Sequence, residues 1–549
     1  MSAITDASSA VRLSTREVLL RKKRGWFFGL SGDQIARTIF QSNAAISILV
    51  LALITFTIFR DAVGFIPMNR QNLEVYRLAG LELTDLLREQ VRDHTVMSRY
   101  LSTLRQQESD RLIHQQGMSV EQANTQLAAF DAYVTRFADT SATHETILGS
   151  MTELCSGLKE RSAVAADLRQ AKQNLIDGIR TAPPARAAML KQTAEAMEIE
   201  VIDFHAEVVP LLALRPEIVA ANVTLVADLR RLAAELPVTA DRSIQGKLAK
   251  FPDFITRYVG EVMATEQKIS AWDQTKPIGV WESFNAFAFG RNWVTASFWQ
   301  DWYGIIPLLT GSLLIAFLAL LIAIPLGVAA ALYVNQVAQP LEQKIIKPYI
   351  EFISAIPSVV LGFFGIALFG ETLRRVSQSP WLDWVPGFPM LERLTAGTAA
   401  ALLALMAIPT IFSLAEDAIN NVPRSFKEAS LALGATRLQT MVRIIVPAAL
   451  SGIMAAILLG FGRVIGETMV VLLCAGNRIE IPDLSAGFGI VFQPVHTMTG
   501  IIAQEMGEVV RNSIHYRALF MVSVVLFLIS LLINWLAQNI VRRYRISIG

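Results

Sequence analysis

The segment SGIMAAILLGFGRVIGETMVVLLCA, Ser451 to Ala475, decides how the chain is read. It is apolar enough to span a bilayer, yet Arg463 and Glu467 sit near its middle. A charge at bilayer depth costs about 2.5–3.5 kcal/mol even on lenient insertion scales. It persists where it pairs, faces protein or lines a path for a solute. On a continuous helix, residues four apart share a face. Just ahead lies Glu428-Ala429-Ser430-Leu431-Ala432-Leu433-Gly434, closing on Ile444-Ile445-Val446-Pro447. The spacing predicts a short helix, a turn at Gly434 where glycine permits a sharp bend, and a second helix ending at Pro447. A rigid polar knob beside a charged span points to a transporter subunit driven from outside its own chain.

The rest of the chain agrees with a membrane reading. Of 549 residues, 53% are hydrophobic and 17% charged, against roughly 25% charged in soluble domains. Mean hydropathy is +0.42. A net charge of +2 gives no reason to expect nucleic-acid binding. Cys155 and Cys474 lie in different regions, so neither a disulfide framework nor a zinc site is indicated.

Spans follow from charge-free runs, since a crossing helix needs about 20 residues. Thr38 to Phe59 is the first; it begins late for a cleavable signal and reads as a retained anchor. Trp302 to Leu341 holds the second, with Pro325 expected to kink it. Phe352 to Gly370, entered through Ile356-Pro357-Ser358, is the third, and Leu394 to Ala415 the fourth. Ser451 to Ala475 is the fifth and Ala518 to Val541 the sixth. The basic tail (Arg12, Arg16, Arg21 to Arg24), the loops with Lys344, Lys347, Arg424, Lys427, Arg437 and Arg443, and the terminal Arg542, Arg543 and Arg545 then all fall inside. The positive-inside rule requires this. Arg374, Arg375 and Arg393 would lie outside, partly offset by Glu371, Asp383 and Glu392.

Residues 61–301 are a different material, polar and helical in spacing. Leu83, Leu87, Val91, Met97, Leu101 and Leu104 fall near one face. So do Leu127, Phe130, Val134 and Phe137, then Val164, Leu168, Leu175 and Ile179, then Ile218, Leu225, Leu229 and Leu232. Such stripes mark amphipathic helices that bury against one another. His94, His114, His144 and His205 are expected on ordinary polar faces. The division is thus a cytoplasmic basic tail (1–42), a first transmembrane helix (43–60), an extracytoplasmic helical domain (61–301) and a core of five further spans (302–549). A cytoplasmic loop at 421–450 lies within that core.

The pattern from Glu428 to Pro447 resembles the EAA signature of ATP-binding-cassette importer permeases, with Ser430 for the second alanine and Val446 for the usual leucine. Ile306-Pro307-Leu308-Leu309-Thr310-Gly311-Ser312-Leu313, Ala355 to Val360, Gly462 to Met469, and Gln493 to Thr499 running on to Glu508 look like phosphate-specific (Pst) permease subunits. Met469 after Gly466-Glu467-Thr468 favours the PstC type over the PstA type. The resemblance implies an all-α membrane protein of six transmembrane helices with a type I importer permease core, plus the large outer bundle between spans one and two. It implies half of a phosphate pore in a plasma (inner) membrane. The expected partners are a second, PstA-type permease, two PstB-type ATPase subunits and a PstS-type phosphate-binding protein. The coupling helix would use Glu428, Ala429, Ser430, Gly434 and Pro447.

On physical grounds, an arginine offers a planar fork of donors suited to phosphate oxygens. A neighbouring carboxylate can accept a hydrogen from protonated phosphate and repel sulfate. Arg463, Glu467 and the neutral Thr468 are therefore the expected substrate path, with Thr310 and Ser358 as weaker candidates. The competing reading is an intrahelical salt bridge that neutralises both charges. The chain has no Gly-x4-Gly-Lys-Ser/Thr loop, so no cofactor is expected here and ATP would bind a partner. Two alternatives stay open: a permease for another oxyanion such as phosphonate or molybdate, and a membrane sensor using the outer bundle.

Overall fold

The charge-free runs become helix, two of them with a break, and so does nearly all of the polar insert. The computed structural model describes residues 26–27, 30–180, 182–239, 241–295, 297, 299–382, 384–385, 387–390 and 392–544. The basic residues expected to orient the tail, Arg12, Arg16 and Arg21 to Arg24, lie outside them, as do Asp383 and Arg545.

After a two-stranded pair, β1 (Trp26–Phe27) with β2 (Leu30–Ser31), comes the long apolar helix α1 (Gly32–Val63). The insert follows as α2 (Phe65–Leu78), α3 (Leu81–Asp110), α4 (Val120–Asp139), α5 (Ala142–Ile179), α6 (Pro184–Glu195), α7 (Phe204–Ala213), α8 (Arg215–Ala234), α9 (Arg242–Leu248), α10 (Phe251–Ala271) and α11 (Val280–Ala288). A second antiparallel pair, β3 (Trp293–Val294) with β4 (Trp302–Tyr303), leads into the membrane core.

Local chemistry sets the insert's boundaries. Ser119 and Gln122 form a reciprocal capping box at the start of α4. Asp203 and Asp241 accept backbone hydrogens at the starts of α7 and α9. The stripes are buried much as spaced. Leu83, Leu87, Leu101, Leu104, Leu127, Phe130, Phe137, Ile218, Leu225, Leu229 and Leu232 are all interior. The stripe Val164, Leu168, Leu175 and Ile179 is not: on α5 Val164 is exposed and the other three are only half-buried.

Two histidines also depart from expectation. His114 and His205 are exposed, but His94 and His144 are buried, 2% and 1% accessible. Each lies in phase with its apolar stripe, and each finds a polar neighbour inside the bundle. His94 Nε2 bonds Thr140 Oγ1 at 2.9 Å and its ring stacks on Phe137. His144 Nε2 bonds Asn222 Oδ1 at 2.9 Å, and Gln90 donates to the same oxygen. Burial, and then the proximity of His144, push the His94 imidazole down to about 4; burial also lowers His144.

The core comprises α12 (Ile306–Gln336), α13 (Pro340–Ser354), α14 (Ser358–Phe364), α15 (Gly370–Ser377), α16 (Ala396–Asn420), α17 (Arg424–Ala432), α18 (Arg437–Thr440), α19 (Val446–Ile465), α20 (Met469–Cys474), α21 (Met498–Glu505) and α22 (Ile514–Tyr544). The stretches containing α1, α12, α16, α19 and α22 are long and apolar enough to cross a membrane. The pair α7–α8 also passes by length and hydropathy. It nevertheless buries Val208, Leu211, Ile218 and Leu225 among the other helices of the bundle.

Two spans are broken where the sequence suggested single rods. The third bends by 88° at Ala355–Pro357, between α13 and the stretch Ser358–Ser377. Proline there removes a backbone donor and disfavours helix in the residue before it. Lys344 and Lys347 consequently lie on the helix α13, not in a loop. The fifth ends at Ile465, and the chain is non-helical until α20 begins at Met469.

Small residues hold the core together. A Cβ on Gly452 of α19 would come within 2.4 Å of Ala418 Cβ on α16, and one on Gly460 within 2.8 Å of Ile411. In lipid, where helices have no hydrophobic drive toward one another, close backbone approach of this kind supplies the packing.

Candidate functional site

The knob is built by its own capping. Gly434 has φ +84, a conformation that side chains rarely adopt, and it lets α17 end and reverse. Thr436 and Gln439 form a capping box that starts α18. This second arm does not end at Pro447 as expected but runs on through Met441–Ile445 into α19, where Pro447 is tolerated in the first turn. Ser430 is buried, and its hydroxyl meets Thr440 Oγ1 at 2.9 Å, pinning one arm to the other. Glu428 and Ala429 face outward. Leu433, at the tip, is 89% exposed. Between the arms runs a groove of about 550 Å³ lined by Phe426, Ala429, Leu433, Ile444 and Pro447.

A polar cluster ties this knob to the ends of the spans. Lys427 on α17 donates to Gln336, the last residue of α12, at 3.1 Å. Lys347 on α13 meets Glu416 on α16 at 2.5 Å, and Asn420 donates to the same carboxylate. Asn335 bridges Gln336 and Asn420. The other end of α12 lies in a different cluster, where Ile305 and Leu308 pack with Phe65, Phe287, Met498 and Leu519. The 31 residues of α12, roughly 46 Å at 1.5 Å per residue, therefore separate the knob from the root of the bundle.

Arg463 lies in the last turn of α19 with its side chain exposed. Its Nη1 donates to Thr410 Oγ1 at 2.9 Å. Thr410 is the fifteenth residue of α16, counting from Ala396, so the guanidinium sits near the middle of a spanning helix. No carboxylate forms an ion pair with Arg463 among the described residues.

Glu467 lies beyond the helix end, in the break from Gly466 to Thr468. The shared helix face expected from the four-residue spacing is therefore not formed, because the helix ends between the two residues. The intrahelical salt bridge is not formed either. Glu467 Oε1 instead accepts the amide hydrogen of Met469 at 3.2 Å, capping α20. The Glu467 carbonyl accepts from Thr499 Oγ1 at 2.8 Å. Thr468 is half-buried in the same break.

The fold thus gathers Arg463, Glu467 and Thr468 at one discontinuity, with Thr410 and Thr499 added from α16 and α21. These two threonines were not anticipated. Thr410 follows Pro409 within a charge-free span, and Thr499 lies in the stretch after Gln493-Pro494; neither carries a local sign of its partner. Of the weaker candidates, Thr310 spends its hydroxyl on the carbonyls of Ile306 and Pro307 in its own helix. Ser358 opens α14. The residues expected to couple, Glu428 to Pro447, lie apart from this discontinuity, in the knob.

Comparison with known proteins places this architecture. Residues 323–546 match the family model described as "Binding-protein-dependent transport system inner membrane component". The chain is 35% identical to the probable ABC transporter permease protein YqgH of Bacillus subtilis, over 43% of this chain and 72% of that protein. It is 30% identical to the phosphate transport system permease protein PstC of Pasteurella multocida, over 48% of this chain and 83% of that one. The PstC of Haemophilus influenzae matches at 30% identity over 50% and 87%. The family match begins inside α12 and runs through α22, so the whole of the insert lies outside it. With relatives at these identities covered over most of their length, the chain belongs to the family of binding-protein-dependent transport system inner membrane components and is a multi-pass membrane permease.

Proposed function

We propose that this chain is the permease subunit of an ATP-driven phosphate importer and forms half of its translocation pore. The observation that carries the reading is the Arg463 guanidinium. It is held by a neutral threonine near the middle of the apolar helix α16, is unpaired with any described carboxylate, and lies beside a break in its own helix. A cation at bilayer depth without a counter-ion is costly, and a passing oxyanion supplies the missing charge. The phosphate transport permeases among its relatives support phosphate as that oxyanion. Glu467, with one oxygen engaged at the start of α20, keeps a second oxygen that can accept a hydrogen from protonated phosphate. Thr468 adds a neutral hydroxyl.

In this proposal ATP is bound and hydrolysed by separate subunits of the PstB type, two of which grip the coupling loops. A PstA-type permease completes the pore, and an external PstS-type protein delivers phosphate. The segments carrying Lys344 and Lys347 on α13, and Arg424, Lys427, Arg437 and Arg443 in and beside the knob, face the cytoplasm with both termini, as the positive-inside rule directs. The insert, rooted at the other end of α12, then lies outside. Closure of the ATPases moves the knob around Glu428–Arg437, the pore opens outward, and hydrolysis resets it.

The test is radiolabelled phosphate uptake by the assembled transporter, with and without its ATPase and with competing oxyanions. Arg463→Gln, inserted and assembled normally, is expected to lose uptake; unchanged uptake removes Arg463 from the path. Phosphonate or molybdate outcompeting phosphate transfers the same geometry to another cargo.

A further inference from the structure

The short helix α11 carries apolar side chains over a wider arc than the bundle covers. One part of that arc is buried. Phe287 packs against Phe65 with ring centroids 5.3 Å apart. Ser283 bonds Asn69 and donates to the Ile66 carbonyl at 3.0 Å. The neighbouring part is bare. Val280 is 61% exposed and Trp281 70%, with Phe284 stacked on the Trp281 ring at 5.4 Å, and Phe289 just past the helix end is 69% exposed. The polar side carries Glu282, which pairs with Arg77 at 3.0 Å, and Asn285.

The position of α11 indicates what covers this face. Phe65 lies two residues past the end of the spanning helix α1. At the start of the spanning helix α12, Ile305 N donates to the Phe287 carbonyl at 2.9 Å and Ile306 N to the Gly290 carbonyl at 3.3 Å. So α11 is fastened to the points where two spans leave the bilayer. A short helix at that level, apolar and aromatic on one side and charged on the other, has the composition of helices that lie in the headgroup region. Tryptophan favours the same depth, and the exposed Arg291 that follows suits lipid phosphates.

We infer that α11 is an interfacial helix whose Val280–Trp281–Phe284 face is seated in the outer boundary of the lipid bilayer, pinning the bundle to the membrane surface. This rests on α1 and α12 crossing the membrane, and is independent of which solute is carried.

The test places a polarity-sensitive fluorophore at Trp281→Cys, and separately at Phe289→Cys, in the full-length chain assembled with its transporter in phosphatidylcholine vesicles. The native Cys155 and Cys474 are buried. The control site is Val201→Cys, 90% exposed on the bundle. The expected result is blue-shifted emission from both α11 sites, strongly quenched by a nitroxide near the lipid headgroup and little affected by aqueous iodide. The Val201 label should show the reverse. Iodide quenching at the α11 sites equal to that at Val201 overturns the inference, as does shielding from both quenchers, which would mean that protein covers the face. Two label sites keep the result readable should one variant fail to assemble.

Discussion

The bundle and the membrane core are both helical, but they are held together by opposite means. The bundle packs large side chains, among them Phe130, Tyr133, Phe137, Phe251 and a series of leucines, around a few bonded polar groups. The core packs alanine and glycine: Ala319, Ala323, Ala399, Ala400, Ala404 and Ala407 are almost wholly buried, and Gly452 and Gly460 let α19 lie directly on α16. Water drives the first arrangement by expelling apolar surface. Lipid offers no such drive, so the second relies on close backbone contact. The bundle should therefore fail when bulk is removed or when its interior is charged. The core should fail when bulk is added.

The largest expected effect is Phe137→Ala. It removes a fully buried ring that stacks on His94 and meets Phe251 edge-on, and should cost the bundle about 3–5 kcal/mol. Chemical denaturation followed by far-UV circular dichroism or limited proteolysis of residues 65–288 reads it; a loss below about 1 kcal/mol breaks the comparison on the bundle side.

Acid comes next. His94 is held neutral by burial, with a folded value of about 4 against an unfolded 6.5. Between those values the unfolded chain binds the extra proton, so stability falls as pH drops through that window and levels off below it. The loss should be on the order of 3 kcal/mol from His94, with His144 adding in the same direction. A Gln at position 94 should flatten the profile between pH 6.5 and 4.

In the core, Gly452→Ala should cost about 1–3 kcal/mol through overpacking against Ala418, read as the detergent or heat resistance of the purified permease. The smallest effect supplies the contrast. Gly260 lies inside α10, where an added Cβ meets nothing within 4 Å. Gly260→Ala should stabilise the bundle by about 1 kcal/mol, the difference in helix propensity. If the two glycine substitutions act with the same sign, the two regions do not pack by different rules.

Thr410→Ala sharpens the same contrast at the site. It removes the bond that fixes Arg463 without removing the charge, so phosphate uptake should weaken while Thr410→Ser retains it. Equal uptake in all three proteins would show that the guanidinium needs no positioning.

Much of this was legible in the sequence. Charge-free runs located the spans, and the spacing from Glu428 through Gly434 to Pro447 located the knob. What escaped has a common cause: hydropathy records which residues are apolar, not where a backbone stops. Gly466-Glu467-Thr468 is short and flanked by apolar residues, so Arg463 and Glu467 read as one helix face. The break separates them and turns Glu467 into a cap. Pro357 marked an entry but not the size of its bend. In the bundle, His94 is in phase with Leu87, Val91, Met97 and Leu101, and His144 with Ile147, Met151 and Cys155. The periodicity announced their burial; assigning histidine to the polar face by type concealed it. Thr410 and Thr499 depend on contacts between distant segments, which spacing along one chain does not reveal.

The bare tip at Leu433 bears on how such a chain is made. Together with Leu438, 65% exposed, and Val442, 54% exposed, it presents greasy side chains on a projection from the membrane, where isolated proteins seldom display them in a contiguous group. In the proposed assembly an ATPase covers that tip, and newly synthesised copies lacking it would stick to one another or attract proteases. Cells producing this subunit in excess of its mates should accordingly accumulate aggregates or fragments nicked near residue 433, whereas balanced production should yield intact protein.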